Sequence, residues 1–415
     1  MALVAGIVLC GVSVKLGFDG KSFLGRPLGG DFVEFYTVGN LLNHYAPERV
    51  YDLRLAASLQ HATLPTMPET QMLVFAHTPF IATLFQPFAL LSYTWAYVAW
   101  LAFSAGLYAL ALALLFRTLG FGPLDRKTGF LLAFSATPFL FETWIGGQMS
   151  VVVFFIWVLF FYCLENKRPI LGGFVFSLCL FKPTLVAVPV LMLILGRRWR
   201  VVAGFAAGAA AMALLSLQTV GLAGCRAWIG TLAMNGNTAA KAGEAWHLAK
   251  YLDILAFSHL VLAHWPLAAD IAAVAISLIA LAFLGSAWWR SDPAQANRLL
   301  WAATLCFVLV FNAYTPIYDA ILLVLAVVLA ASVRQISPGW LLALYLLPWV
   351  SQSFAELLHV QALTLALAAF GFAMLGKAGF PLLSRFKPRQ EESTMTPPLQ
   401  LQANGRFQVR SRGLL

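Results

Sequence analysis

Apolar runs long enough to cross a bilayer recur along this 415-residue chain, and one of them, residues 201–222, carries no charged side chain. A hydrocarbon core about 30 Å thick takes about 20 helical residues to span, and lipid offers no partner to a free backbone N–H or C=O. Runs of this kind fold as helices. A barrel would need alternating apolar and polar residues, and these runs are continuous. Only 11% of the residues are charged and 61% are hydrophobic, where soluble domains carry about 25% charged residues. The chain therefore reads as all-α, a polytopic transmembrane helical bundle with about 11–13 membrane helices and a long extracytoplasmic first loop.

The net charge of +10 does not point to nucleic acid, because Lys and Arg sit in short loops between apolar runs, as cytoplasmic loops of membrane proteins do. The five cysteines, Cys10, Cys163, Cys179, Cys225 and Cys306, form no C-x-x-C pair and read as small core residues, not as a disulfide frame or metal ligands. No cofactor is expected, and the sequence offers no clear metal-ligand cluster. Signals for metalloproteases, P-loop ATPases and serine hydrolases do not occur.

Residues 1–17 read as a first membrane helix, since they lack a basic leader and a small-residue cleavage site. A polar loop, 18–78, follows, with a short amphipathic helix expected over 32–43 and an interfacial one over 51–62. Apolar runs then cover 79–92, 94–116, 129–143, 149–164, 170–181, 184–195 and 201–222. After a second long loop, 223–266, come 267–288, 297–311, 320–333, 339–350 and 360–377. The runs 79–92 and 129–143 are short for a full span, and chain topology requires one of them to be half-length or re-entrant. Residues 1–383 form one membrane domain, and 384–415 a basic, disordered cytoplasmic tail.

Basic loops at 165–169, 196–200 and 289–298, together with the tail, belong on the cytoplasmic side. Alternation then gathers the polar breaks at 146–148, 182–183, 223–266 and 312–319 on the opposite face. The chain is expected in a plasma (inner) membrane, multi-pass, with its chemistry on the extracytoplasmic side.

Those breaks hold the candidate residues. Asp31 stands where a helix begins and can cap it, or act as a general base at the membrane surface; the roles are compatible. Glu34 lies one helical turn on, close enough to shift the pKa of Asp31. Tyr36 can stack on a sugar or anchor at the interface. Tyr51, Asp52 and, in the second loop, His247 with Lys250 are further loop-site candidates. Lys182 either snorkels or meets a phosphate. Gln148 follows two glycines that permit close backbone approach. Tyr318 and Asp319 precede an apolar run, where Asp319 can cap a helix or serve a site. His77 is a candidate partner for a phosphate or a hydroxyl.

Taken in order, Asp31-Phe-x-x-Phe-Tyr36, Tyr51-Asp52, the stretch from Phe75 to Phe80, Gly147-Gln-x-Ser150, Phe181-Lys-Pro183 and Thr315-Pro-x-Tyr-Asp319 resemble the DUF2029, or glycosyltransferase family 87, proteins over most of the chain. The resemblance implies a GT-C fold and a mannosyltransferase-like enzyme drawing on a polyprenyl-phosphate sugar. It implies transfer to a lipid or glycan acceptor on the extracytoplasmic face, among membrane lipids and without a metal. Asp31 maps to the base of such enzymes, and His77, Gln148, Lys182, Tyr318 and Asp319 to donor and phosphate positions. His77 departs from the pattern, which usually has an aromatic there, and the late-loop histidine of some members is missing. A lipid-linked-sugar transporter or flippase is the rival reading, although no internal repeat of the transporter kind occurs.

Overall fold

The computed structural model describes residues 1–18, 28–68, 72–241, 248–293 and 297–380. His247 and the tail 384–415 lie outside the described residues. The helices are α1 (Ala2–Phe18), α2 (Phe32–His44), α3 (Leu53–Thr63), α4 (Tyr93–Thr118), α5 (Pro123–Phe134), α6 (Ser150–Glu165), α7 (Pro169–Ser177) and α8 (Thr184–Leu195). They continue with α9 (Trp199–Lys241, kinked at Gly221, whose φ is +67°), α10 (Ile254–Val261), α11 (Pro266–Arg290), α12 (Arg298–Val310), α13 (Leu322–Ser332), α14 (Pro338–Leu358) and α15 (Ala362–Lys377). Among the described residues there is no strand; one antiparallel bridge joins Tyr251 to Pro316.

Four helices are each long and apolar enough to cross a membrane: Tyr93–Thr118, Trp199–Ala233, Pro266–Arg290 and Pro338–Leu358. The others are shorter because the chain breaks them. A 3-10 turn, Leu178–Phe181, interrupts the α7–α8 pair, and a π-helical turn, Pro138–Ile145, precedes α6. Another 3-10 turn, Ile317–Ile321, precedes α13. Irregular backbone at membrane depth is tolerated only where protein or a water-filled cavity satisfies it, so these breaks mark one interior region. Behind them, α12 is buried along its whole length from Leu299 to Val310, the pattern of a helix apolar on every face.

Close packing of α7 on α9 depends on glycine. A Cβ at Gly173 would lie 1.9 Å from the Val201 carbonyl oxygen, and one at Gly204 would lie 1.9 Å from that of Ile170. Small residues at such crossings let membrane helices gain dispersion contacts where hydrophobic driving force is absent. At the basic end of the bundle, Arg298 makes a forked pair with Glu165 at 2.9 and 3.0 Å, tying α12 to α6.

Two expectations need correction. The run 79–92 is not a membrane helix but two 3-10 turns, Pro79–Phe85 and Phe88–Leu90. Pro79 and Pro87 remove helix donors, and the turns lie on α2, where a Cβ at Gly39 would meet the Phe85 carbonyl oxygen at 2.3 Å. The amphipathic helix α2 is largely buried, including Thr37 and Tyr36, because these turns cover the face expected to be exposed.

Gly204→Leu should lower the stability of the folded protein in detergent by about 1–3 kcal/mol, the usual range for overpacking. Gly106→Leu, where nothing lies within 4 Å, should leave it unchanged. Thermal unfolding of the two variants checks this, and matching midpoints would show that α7 and α9 do not cross at Gly204.

Candidate active site

The site begins with two glycine pairs set against each other. Gly29 and Gly30 have φ of +80° and +54°, and Gly147 has φ of +70°, a region that costs glycine little. A Cβ at Gly30 would lie 2.8 Å from the Gly146 carbonyl oxygen, and one at Gly147 would lie 2.5 Å from that of Gly29. The Asp31 N–H donates to the Gly146 carbonyl at 3.2 Å. Helix α4 fastens both sides: Tyr93 OH donates to the Leu28 carbonyl at 2.5 Å, Tyr97 OH to Ile145 at 2.7 Å, and Trp100 Nε1 to Gly147 at 3.1 Å. Phe32 fills the space between these three rings.

This docking brings Asp31 to Gln148, whose Nε2 donates to Asp31 Oδ2. The Asp31 carboxylate does not cap α2, contrary to one reading of its position. Burial pushes its pKa up, while the charges of Lys250 and Lys182 and the Gln148 bond pull it down. Glu34 has its pKa pushed well above the ordinary glutamate range, by burial and then by Asp31, so its neutral form is favoured. Asp31, Glu34, His77 and Tyr318 are each only part-buried; Lys182 acts on the first three and lies over the ring of the fourth, and this partly accessible polar cluster is the candidate crevice.

Across the crevice, Lys182 Nζ lies 2.6 Å from Asp319 Oδ1 and 3.2 Å from Ser150 Oγ, and 4.5 Å from the centre of the Tyr318 ring. Ser150 Oγ donates to the same carboxylate oxygen at 2.7 Å. Three helix breaks thus meet in one buried ion pair. Asp319, a candidate cap for the following helix, makes no cap and gives its carboxylate to Lys182 and Ser150.

The second loop is stapled to the late one. Leu252 N–H donates to the Thr315 carbonyl at 2.8 Å, and Ile317 N–H to the Lys250 carbonyl at 2.8 Å. Asp253 accepts from Thr315 N at 2.9 Å and caps α10 by accepting from Ala256 N at 2.9 Å; burial raises its pKa to about 6. The staple brings the charge of Lys250 to bear on Asp31.

His77 has Nδ1 2.9 Å from the Phe181 carbonyl oxygen, and its backbone carbonyl accepts from Tyr51 OH at 2.6 Å. Burial, then Lys182, lowers its pKa to about 4. Among the remaining loop candidates, Tyr36 OH donates to the Leu91 carbonyl. Asp52 caps α3 through Leu55 N and pairs with Arg49. The polar atoms of Tyr36, Tyr51 and Asp52 therefore hold the loop itself. Sequence reasoning did not single out Ser150, although it ends the Gly-Gln-x-Ser motif, and it gave Lys250 no role beside Asp31. No group of three or more metal-ligating side chains converges among the described residues.

Broken helices converging on a charged crevice define a helical membrane protein with a buried polar site. The family model of glycosyltransferase family 87 matches residues 75–316, more than half of the chain, and the protein belongs to that family of membrane glycosyltransferases. No curated protein and no solved structure matches the chain. Asp31 precedes the matched residues; His77, Gln148, Ser150, Lys182 and Lys250 lie within them, and Asp319 lies just beyond.

Breaking a buried pair costs about 3–5 kcal/mol, because the partner is left charged and alone. Lys182→Met should destabilise the protein on that scale, and Lys182→Met/Asp319→Asn should recover most of the loss. Chemical unfolding in detergent measures both, and equal losses in the two variants would show that the groups are not coupled.

Proposed function

We propose that this glycosyltransferase moves a hexose, in the first instance mannose, from a polyprenyl-phosphate donor to a hydroxyl of a lipid or glycan acceptor. Transfer takes place on the extracytoplasmic face of a plasma (inner) membrane and inverts the anomeric carbon, with Asp31 as general base. The observation that carries this reading is Asp31 itself: a carboxylate with an accessible face, oriented by Gln148 and acted on by two lysines.

The donor enters from the bilayer between helices. Asp31 takes the proton of the acceptor hydroxyl as its oxygen attacks the anomeric carbon. The bond from that carbon to the phosphate oxygen breaks, and polyprenyl phosphate leaves with the electron pair. As Asp31 loses its negative charge, the leaving phosphate gains one. Lys250 and Lys182 stand where that charge develops, and preorganised cations in a site shielded from water stabilise it strongly. Tyr318 packs against Lys182 and bounds the donor phosphate. Glu34, held neutral beside the base, donates a hydrogen bond to the acceptor.

Transfer from radiolabelled polyprenyl-phosphate mannose should fall about 10²–10⁴-fold in Asp31→Asn membranes at matched expression. In the wild type, kcat/KM should rise with pH as Asp31 ionises and then level off. Because burial raises that pKa, the rise should come above the ordinary carboxylate range. Equal transfer by both proteins would remove Asp31 from the chemistry.

A further inference from the structure

Beside Lys182, buried rings pack around His77. Phe35, Phe75 and Phe181 surround the His77 imidazole at 5.9, 5.4 and 5.9 Å between centroids. The Phe181 carbonyl oxygen 2.9 Å from Nδ1 can only accept a hydrogen bond, so the proton of the neutral ring sits on Nδ1. A second proton, on Nε2, would make an imidazolium, which burial and the neighbouring Lys182 both oppose. Nε2 therefore presents a lone pair. The Nδ1 contact is the ring's hydrogen bond among the described residues; the residue is only part-buried, and Nε2 is not one of the fully buried side-chain atoms left without a partner.

A lone pair cannot serve a phosphodiester, whose oxygens also only accept. It suits a hydroxyl, which donates. Resting on the reading above, we propose that His77 Nε2 accepts a hydrogen bond from one hydroxyl of the donor hexose. His77 is then a residue that sets sugar specificity, not a ligand of the donor phosphate, and the buried rings of Phe35, Phe75 and Phe181 hold the imidazole in place.

The test compares the wild type with His77→Phe, using polyprenyl-phosphate mannose and its monodeoxyfluoro analogues, each with one hydroxyl replaced by fluorine. Fluorine cannot donate a hydrogen bond, and its electronic effect on the anomeric carbon is common to both enzymes and cancels in the ratio. For one analogue, the wild type should discriminate against the fluorinated sugar about tenfold more than His77→Phe does, the scale of one hydrogen bond left unmade. Inhibition by polyprenyl phosphate should stay within about twofold between the two proteins, since the phosphate loses no contact.

Tenfold weaker inhibition of His77→Phe by polyprenyl phosphate would overturn the proposal in favour of a phosphate contact. Equal discrimination by both enzymes would overturn the assignment of His77 while leaving the transferase reading intact. Absence of transfer by the wild type would overturn both. Independently of any variant's folding, ¹⁵N-histidine spectra of the wild type should show the His77 ring with Nδ1 protonated and Nε2 bare from roughly pH 5 to 8; a protonated Nε2 would overturn the proposal.

Discussion

Backbone touching backbone between residues 29–31 and 146–147 is the constraint on which the rest of the site depends. Side chains on Gly30 or Gly147 would strike the opposing carbonyl oxygens, at 2.8 and 2.5 Å, so the approach exists only because both sides are glycine. That approach brings the first loop to the start of α6, where Asp31 and Gln148 meet. The hydroxyl and indole tips of Tyr93, Tyr97 and Trp100 then bond the carbonyls on both sides of the seam. One rigid span, α4, thus fixes the register of two loops remote from each other in the chain.

The helix breaks follow from the same requirement. A membrane helix satisfies its own backbone and presents apolar side chains, so a charged site at its flank would be costly. Interrupting α7–α8 at Lys182, the approach to α6 at 146–149 and the approach to α13 at 317–321 frees polar groups at one depth, where they satisfy one another. The Lys182–Asp319 pair with Ser150 is the result. It neutralises two buried charges, and it binds three separate elements, so the short helices around it hold their positions without spanning the membrane singly.

Much of this was legible in the sequence, because charge is rare in hydrocarbon. Asp31, Gln148, Lys182 and Asp319 stood out as polar punctuation, and the structure brings them to one crevice. Hydrophobicity was less reliable as a guide to secondary structure. Residues 79–89 form 3-10 turns against α2 while Leu90 and Leu91 stay exposed, so the apolar run is not one span, and Pro87 in its middle was the available warning. Asp31 and Asp319 both sit where a helix cap belongs, but local position could not reveal that tertiary partners claim their carboxylates. Ser150 was visible only as the end of its motif and Lys250 only beside His247, and their partners were beyond reach for a related reason. A serine after Gly-Gln and a lysine in a loop are commonplace, and their meaning comes from Asp319 and Asp31, which lie 169 residues from Ser150 and in the opposite loop from Lys250.

The two long loops are joined by electrostatics as well as by their shared crevice. Burial alone would drive Asp31 toward its neutral, non-basic form; of the influences opposing it, Lys250 is the largest, ahead of Lys182 and Gln148. Lys182 is fixed by its ion pair, whereas Lys250 sits on a segment that Thr315, Ile317 and Asp253 staple to the late loop. Moving that segment away would withdraw a positive charge from Asp31 and raise its pKa further. The ionisation of the carboxylate therefore depends on the docking of a loop that begins more than two hundred residues later. Two lysines from separate segments thus offset part of the cost of burying that carboxylate.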